Sequence, residues 1–208
     1  SVETHRRVAQ LLSETQGREA ALAHLRSAVE RFPHHQPLSE LWIEWLREEP
    51  AEVVEPAIRQ LIETNPAHAW AVRELGFLLV RMGRLEEAEQ CAAQAGELDP
   101  THVGWRHLRG EIAEARRRLQ EALSEYREAI QLSVDNEYAM TRLLACCRTM
   151  DQRRESLAFV QRELVRQVVF GPGLLTYRDL AHGILEAEEL LSSLRSALDA
   201  RPDLWHAW

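Results

Sequence analysis

Hydrophobic and polar positions along this chain alternate with a helical period, and the pattern restarts about every 34 residues. Residues 69–102 show it most clearly. Leu75, Leu79, Leu85 and Ala92 fall on apolar stripes, with charged and polar residues between them. Two short helices are predicted there, joined by a tight turn at Met82-Gly83-Arg84. Gly83 ends the first helix, because the left-handed conformation is cheapest for Gly. Gly76 and Ala88 are small enough for two antiparallel helices to approach closely. Asp99 is predicted to cap the helix that follows, with Pro100 in its first turn, where a missing N–H costs nothing.

The same arrangement recurs from end to end. Pro33, Pro66, Pro100, Val134, Val168 and Pro202 stand 33, 34, 34, 34 and 34 residues apart. This spacing predicts six helix pairs, at residues 2–34, 35–67, 69–102, 103–136, 137–170 and 171–204, in a single domain spanning 1–208. A seventh helix is begun at 205–208, where Trp205 and Trp208 leave an aromatic end. The pairs differ in quality. In the second, Trp42 occupies the small-residue slot, and Trp42 and Trp45 share a helix face as core filler. Pro50 and Pro56 bracket the start of its second helix, which is expected to begin near Val53 and to be short. The fourth pair keeps Gly110, Ala122, Tyr126 and Ala129, but its turn lacks Gly, and Arg116–Arg118 are expected to cap the preceding carbonyls. The fifth replaces the small pair with Leu144 and Ser156, and the sixth opens on Gly171-Pro172-Gly173.

Leu75, Gly76, Leu79, Ala88, Ala95 and Pro100 resemble the tetratricopeptide repeat, a helix–turn–helix with a 34-residue period. The usual aromatic of the second helix is replaced by Ala92, and the usual early Trp is displaced to Trp70. The resemblance implies an all-α fold, a right-handed α-solenoid. It further implies that the first helix of each pair lines a concave groove that takes an extended peptide or a partner helix. Carried over slot by slot, the groove residues are Trp70, Arg73, Phe77 and Arg81 in the third pair, and His107, Glu111 and Glu114 in the fourth. Tyr138, Thr141, Arg142 and Arg148 follow in the fifth, and Asp179 and His182 in the sixth; Arg6, Gln10, Ser39 and Ile43 are the counterparts in the first two. The family's two-carboxylate clamp needs a Lys/Asn set; this chain has no Lys, and Asn65 and Asn136 stand at pair boundaries.

Composition narrows the function. The net charge is −8, which argues against a nucleic-acid partner. All 25 basic residues apart from His are Arg, as a GC-rich bacterial genome would give. Arg73, Arg81, Arg142 and Arg148 suit an acidic peptide as a strip, or else they pair with Glu74, Glu111 and Glu114 as a solvated network. No run of eighteen apolar residues predicts membrane insertion, and the first ten residues do not read as a signal peptide. A cytoplasmic location is expected. The chain begins with Ser and ends on an aromatic surface, which reads as a fragment or processed chain, or as an end that packs on a second copy. Cys91, Cys146 and Cys147 fall in apolar surroundings and read as reduced buried thiols. His34-His35 and the pair His102 and His107 lack metal-ligand spacing, and no nucleophile or phosphate-loop motif is present. No catalytic residue, metal or cofactor is therefore expected. The leading reading is a non-catalytic scaffold for a protein or peptide partner. The alternatives are the substrate-recruiting region of a larger enzyme, such as a transferase, or a self-assembly module built on Trp205 and Trp208.

Overall fold

The computed structural model describes residues 1–167 and 171–200. Val168, Pro202 and the predicted seventh helix at 205–208 lie outside the described residues. Among the described residues there are twelve α-helices and no strand. The chain divides into two compact units, Ser1–Leu98 and Asp99–Trp208.

The first unit holds α1 (Val2–Gln16), α2 (Arg18–Arg31), α3 (Gln36–Leu46), α4 (Ala51–Thr64), α5 (Ala69–Arg81) and α6 (Leu85–Leu98). α5 and α6 pack most closely, with Leu75, Leu79, Ala88, Ala92 and Ala95 all buried along the seam. Gly83 takes φ +74° in the turn between them, as the sequence predicts. α3 and α4 make a looser pair. Trp42 stands where a small residue serves elsewhere, and Trp42 and Trp45 pack half-buried against a core of Leu25, Leu38 and Leu41.

α4 departs from expectation. It begins at Ala51 and runs fourteen residues, instead of starting near Val53 as a short helix. The Pro50 carbonyl accepts from the amides of Val53 and Val54 at 2.9 and 3.2 Å, so the first turn forms on Pro50. Pro56 then lies inside the helix but on its exposed side. The lost hydrogen bond there is outweighed by burial of Val54, Ala57, Ile58 and Leu61 on the opposite face.

The second unit holds α7 (Gly104–Ala115), α8 (Leu119–Leu132), α9 (Glu137–Cys146), α10 (Met150–Arg166), α11 (Pro172–Ala181) and α12 (Ala187–Ala200). One core runs through it, from Ala122 and Tyr126 to Leu143, Val160, Tyr177 and Ala197. The start of α7 corrects a second expectation. Asp99 and Pro100 lie in a turn before the helix, and the His102 ring nitrogen Nδ1 accepts from the Gly104 amide at 2.9 Å. Asp99 is instead engaged locally, accepting from the Thr101 hydroxyl at 3.1 Å. The turn between α7 and α8 is closed by backbone bonds from the Arg triplet to the preceding carbonyls. The Arg116, Arg117 and Arg118 amides donate to the carbonyls of Ile112, Glu114 and Ala113 at 3.0, 2.8 and 2.8 Å. Arg117 sits at φ +59°, in the slot that Gly83 fills one repeat earlier.

Candidate protein-interaction face

The site is built from two first helices of the second unit. On α7, His107, Glu111 and Glu114 are spaced i, i+4, i+7 and so share one stripe. On α9, Tyr138 and Arg142 are spaced i, i+4. The two stripes meet. The Tyr138 hydroxyl donates to Glu111, and Arg142 binds Glu114 through two guanidinium nitrogens, Nε at 3.0 Å and Nη2 beside it. The rings of His107 and Tyr138 lie 4.9 Å apart. Asn136 caps α9 by accepting from the Ala139 amide through Oδ1, which leaves its Nδ2 to donate to His107 Nε2 at 2.7 Å.

Beneath this face lies Tyr126 of α8, fully buried, whose hydroxyl donates to Glu114 at 2.6 Å. Glu114 therefore serves Tyr126 and Arg142 together. Burial, together with the adjacent carboxylates, pushes both Tyr126 and Tyr138 above the ordinary phenol range. The hydrogen bond to Glu114 holds Arg142 more firmly protonated than usual. Burial, followed by the Glu114 charge, pushes the Cys146 thiol up to about 12, so this cysteine is an inert neighbour. Tyr126, Tyr138 and Arg142 therefore keep their protons throughout the neutral range.

The remaining predicted positions divide sharply. Thr141 and Arg148 are exposed in the same unit. Asp179 accepts from Arg178 Nε at 2.8 Å, and His182 is exposed where α11 ends. In the first unit, Arg81 is exposed, while Trp70 and Phe77 are half-buried, with Trp70 tilted against His68 at 6.0 Å. Arg73 is only 7% exposed, and Ser39 and Ile43 belong to the core. Arg6 pairs with Glu44 at 3.4 Å, and Glu74 is taken by Arg47 at 2.9 Å. Arg73 is thus buried and Arg142 is held by Glu114, so neither is an open cation.

Tyr126, Asn136 and Cys146 were not expected at this site. A signal for it exists in the spacing of partners. Arg47 and Glu74, Arg59 and Glu87, Glu111 and Tyr138, and Glu114 and Arg142 are 27, 28, 27 and 28 residues apart. Each bond joins like helices of successive pairs. The spacing falls six to seven residues short of the 34-residue period, because neighbouring like helices are staggered by about two turns.

Helix pairs of this length, seamed by small residues and linked to their neighbours by staggered polar bonds, define an α-helical repeat protein. One of these pairs is similar to a known repeat: the tetratricopeptide repeat family model matches residues 74–102. Solved structures agree on the fold across the rest of the chain. PilW, described as a widely conserved type IV pilus biogenesis factor, aligns at TM-score 0.63 and 15% identity over 99% of this chain and 92% of its own. PilF of Pseudomonas aeruginosa aligns at TM-score 0.61 and 15% identity over 100% of this chain and 93% of its own. YrrB, a tetratricopeptide repeat protein with an unusual peptide-binding site, aligns at TM-score 0.52 and 18% identity over 88% of this chain and 95% of its own. No curated protein matches the chain by sequence. Among the described residues, no helix is long and apolar enough to cross a membrane.

Proposed function

We propose that this chain is a non-catalytic interaction scaffold that binds a segment of a partner protein on the face formed by α7 and α9. The observation that carries the reading is Tyr138. Its ring is 39% exposed, yet it is fixed from two sides, by its hydrogen bond to Glu111 and its contact with His107. An amphipathic aromatic held in place before binding loses little side-chain freedom on contact, which is the physical profile of an interface anchor. Thr141, one turn along and exposed, extends the surface.

The charges around the anchor are already matched within the chain. The face therefore suits a segment of mixed polarity with an apolar or aromatic side chain to lay on Tyr138, rather than a carboxylate tail needing free cations. The test is affinity capture from the native source with residues 1–208 as bait, run beside Tyr138→Ala and Thr141→Arg. A protein captured by the parent chain and lost with both variants supports this face. Capture unaffected by either variant excludes it.

A further inference from the structure

The turns of the second unit carry a separate feature. Between the α7–α8 turn and the α9–α10 turn lies an open cleft of about 420 Å³. Arg117, Arg118 and Arg148 line it, with Glu121 and Gln152 at its edge and the Cys146 thiol on its wall. Three guanidinium groups against one carboxylate leave two net positive charges in a chain whose net charge is −8. Glu121 pairs with Arg118 at 3.4 Å. Among the described residues, no carboxylate pairs with Arg117 or Arg148.

Both turns are fixed. Gln152 Oε1 accepts from the Arg148 amide at 2.7 Å, next to the capping box that Thr149 makes with Gln152. The Arg117 amide is held by the Glu114 carbonyl at 2.8 Å. Arg117 itself is in the left-handed region at φ +59°, a conformation disfavoured for any side chain but Gly, and Gly83 shows the unstrained solution at the same slot. The chain holds an arginine where its own repeat pattern supplies a glycine, and that arginine lines the cleft.

We infer that this cleft is an oxyanion-binding site for a carboxylate or phosphate group carried by a peptide segment. Arg117 and Arg148 act as its two open forks and Arg118 as a partly neutralised third. Two forks from separate fixed turns match the paired oxygens of either group. A single two-charge cleft in a chain of net charge −8 fits a peptide side chain or terminus better than a nucleic-acid backbone. The cleft lies at the helix turns and shares only Cys146 with the α7–α9 face; Tyr138 does not line it, so its occupancy does not depend on Tyr138.

Fluorescence anisotropy on the full chain at low salt decides the matter. The probes are a labelled hexaglutamate, a labelled glycine hexapeptide carrying two phosphoserines, and, as controls, a labelled hexaglutamine and a labelled single-stranded oligonucleotide. Both anionic peptides bind and hexaglutamine does not. The phosphoserine peptide binding at least tenfold tighter assigns phosphate as the source, and parity assigns carboxylate. Arg117→Gly raises the thermal midpoint while weakening anionic-peptide binding about tenfold, as loss of one charge-assisted bond would. Arg148→Ser weakens it similarly without moving the midpoint, Arg117→Lys retains most of it, and Tyr138→Ala leaves it unchanged. Affinity unaltered in both Arg117→Gly and Arg148→Ser overturns the site. So does binding of hexaglutamine equal to hexaglutamate, no binding of either anionic peptide, or tighter binding of a single-stranded oligonucleotide than of both.

Discussion

The α5–α6 and α7–α8 pairs share one plan and fill it in opposite ways. In α5–α6 the seam is dry: Ala92 faces inward among Leu75, Leu79 and Ala88. In α7–α8 the slot of Ala92 is taken by Tyr126, equally buried, and the added ring brings a hydroxyl that must be satisfied. Glu114 satisfies it, and Arg142 in turn neutralises Glu114. One enlarged side chain thus recruits a polar chain that reaches α9 and the exposed face. A repeat that is merely packed becomes a repeat with a polar network, and its tolerance of substitution falls accordingly.

The sharpest break of this contrast is Tyr126→Ala. It leaves a cavity and strands the buried side of Glu114, and should cost about 3–5 kcal/mol in urea unfolding. Ala92→Gly in the dry seam should cost about 1 kcal/mol by the same measurement. Gly110→Ala is expected next in size. A Cβ at Gly110 would lie 2.5 Å from the Tyr126 ring, which is fully buried, so the substitution should cost about 1–3 kcal/mol. Made in a Tyr126→Ala background, it should cost much less; equal cost in both backgrounds would mean that the ring is not what Gly110 accommodates.

The two turns give a smaller, paired effect. Gly83→Arg places a side chain at φ +74° and should destabilise by about 1 kcal/mol, while Arg117→Gly should stabilise by about 0.5–1 kcal/mol. Equal signs for the two substitutions would show that the turns are not equivalent. The smallest effect lies at the other end of the chain, where His5 Nδ1 meets His24 Nε2 at 3.1 Å between α1 and α2. Burial, and then the His24 ring, hold His5 below its ordinary value of 6.5. Folding therefore favours the neutral ring, so this stabilisation is complete above pH 6.5 and is lost as the pH falls through the lowered value. His5→Gln should reduce the drop in thermal midpoint between pH 7.5 and 5 by about 1 °C; an unchanged drop would place the acid sensitivity elsewhere.

Much of the architecture is legible in the sequence, because small residues and Pro recur at a fixed period through most of the pairs. Where the reading fails, a competing local term wins. α4 starts early because Pro50 is itself a sound first-turn acceptor and the core side of the helix outweighs Pro56. Asp99 does not cap α7 because the turn after it moves the helix start to Gly104, whose amide goes to the His102 ring. The α7–α9 face is half legible: the stripe His107, Glu111, Glu114 follows from helical period, as does Tyr138 with Arg142. Which of them meet depends on the stagger of like helices, a tertiary quantity that one pair's pattern does not contain. Arg73 makes the same point in reverse, since its helix slot suggested an open face and packing buries it.

The notch at Gly110 has a mechanical consequence. A ring seated against a helix backbone works as a key in a keyway: α7 and α8 cannot slide past each other without lifting Tyr126 out of the notch. The pair therefore acts as one stiff lever, and any yielding falls on the joint with α9. Tyr138 stands on α9 and grips Glu111 on the lever, so a load applied to its ring acts directly across that joint.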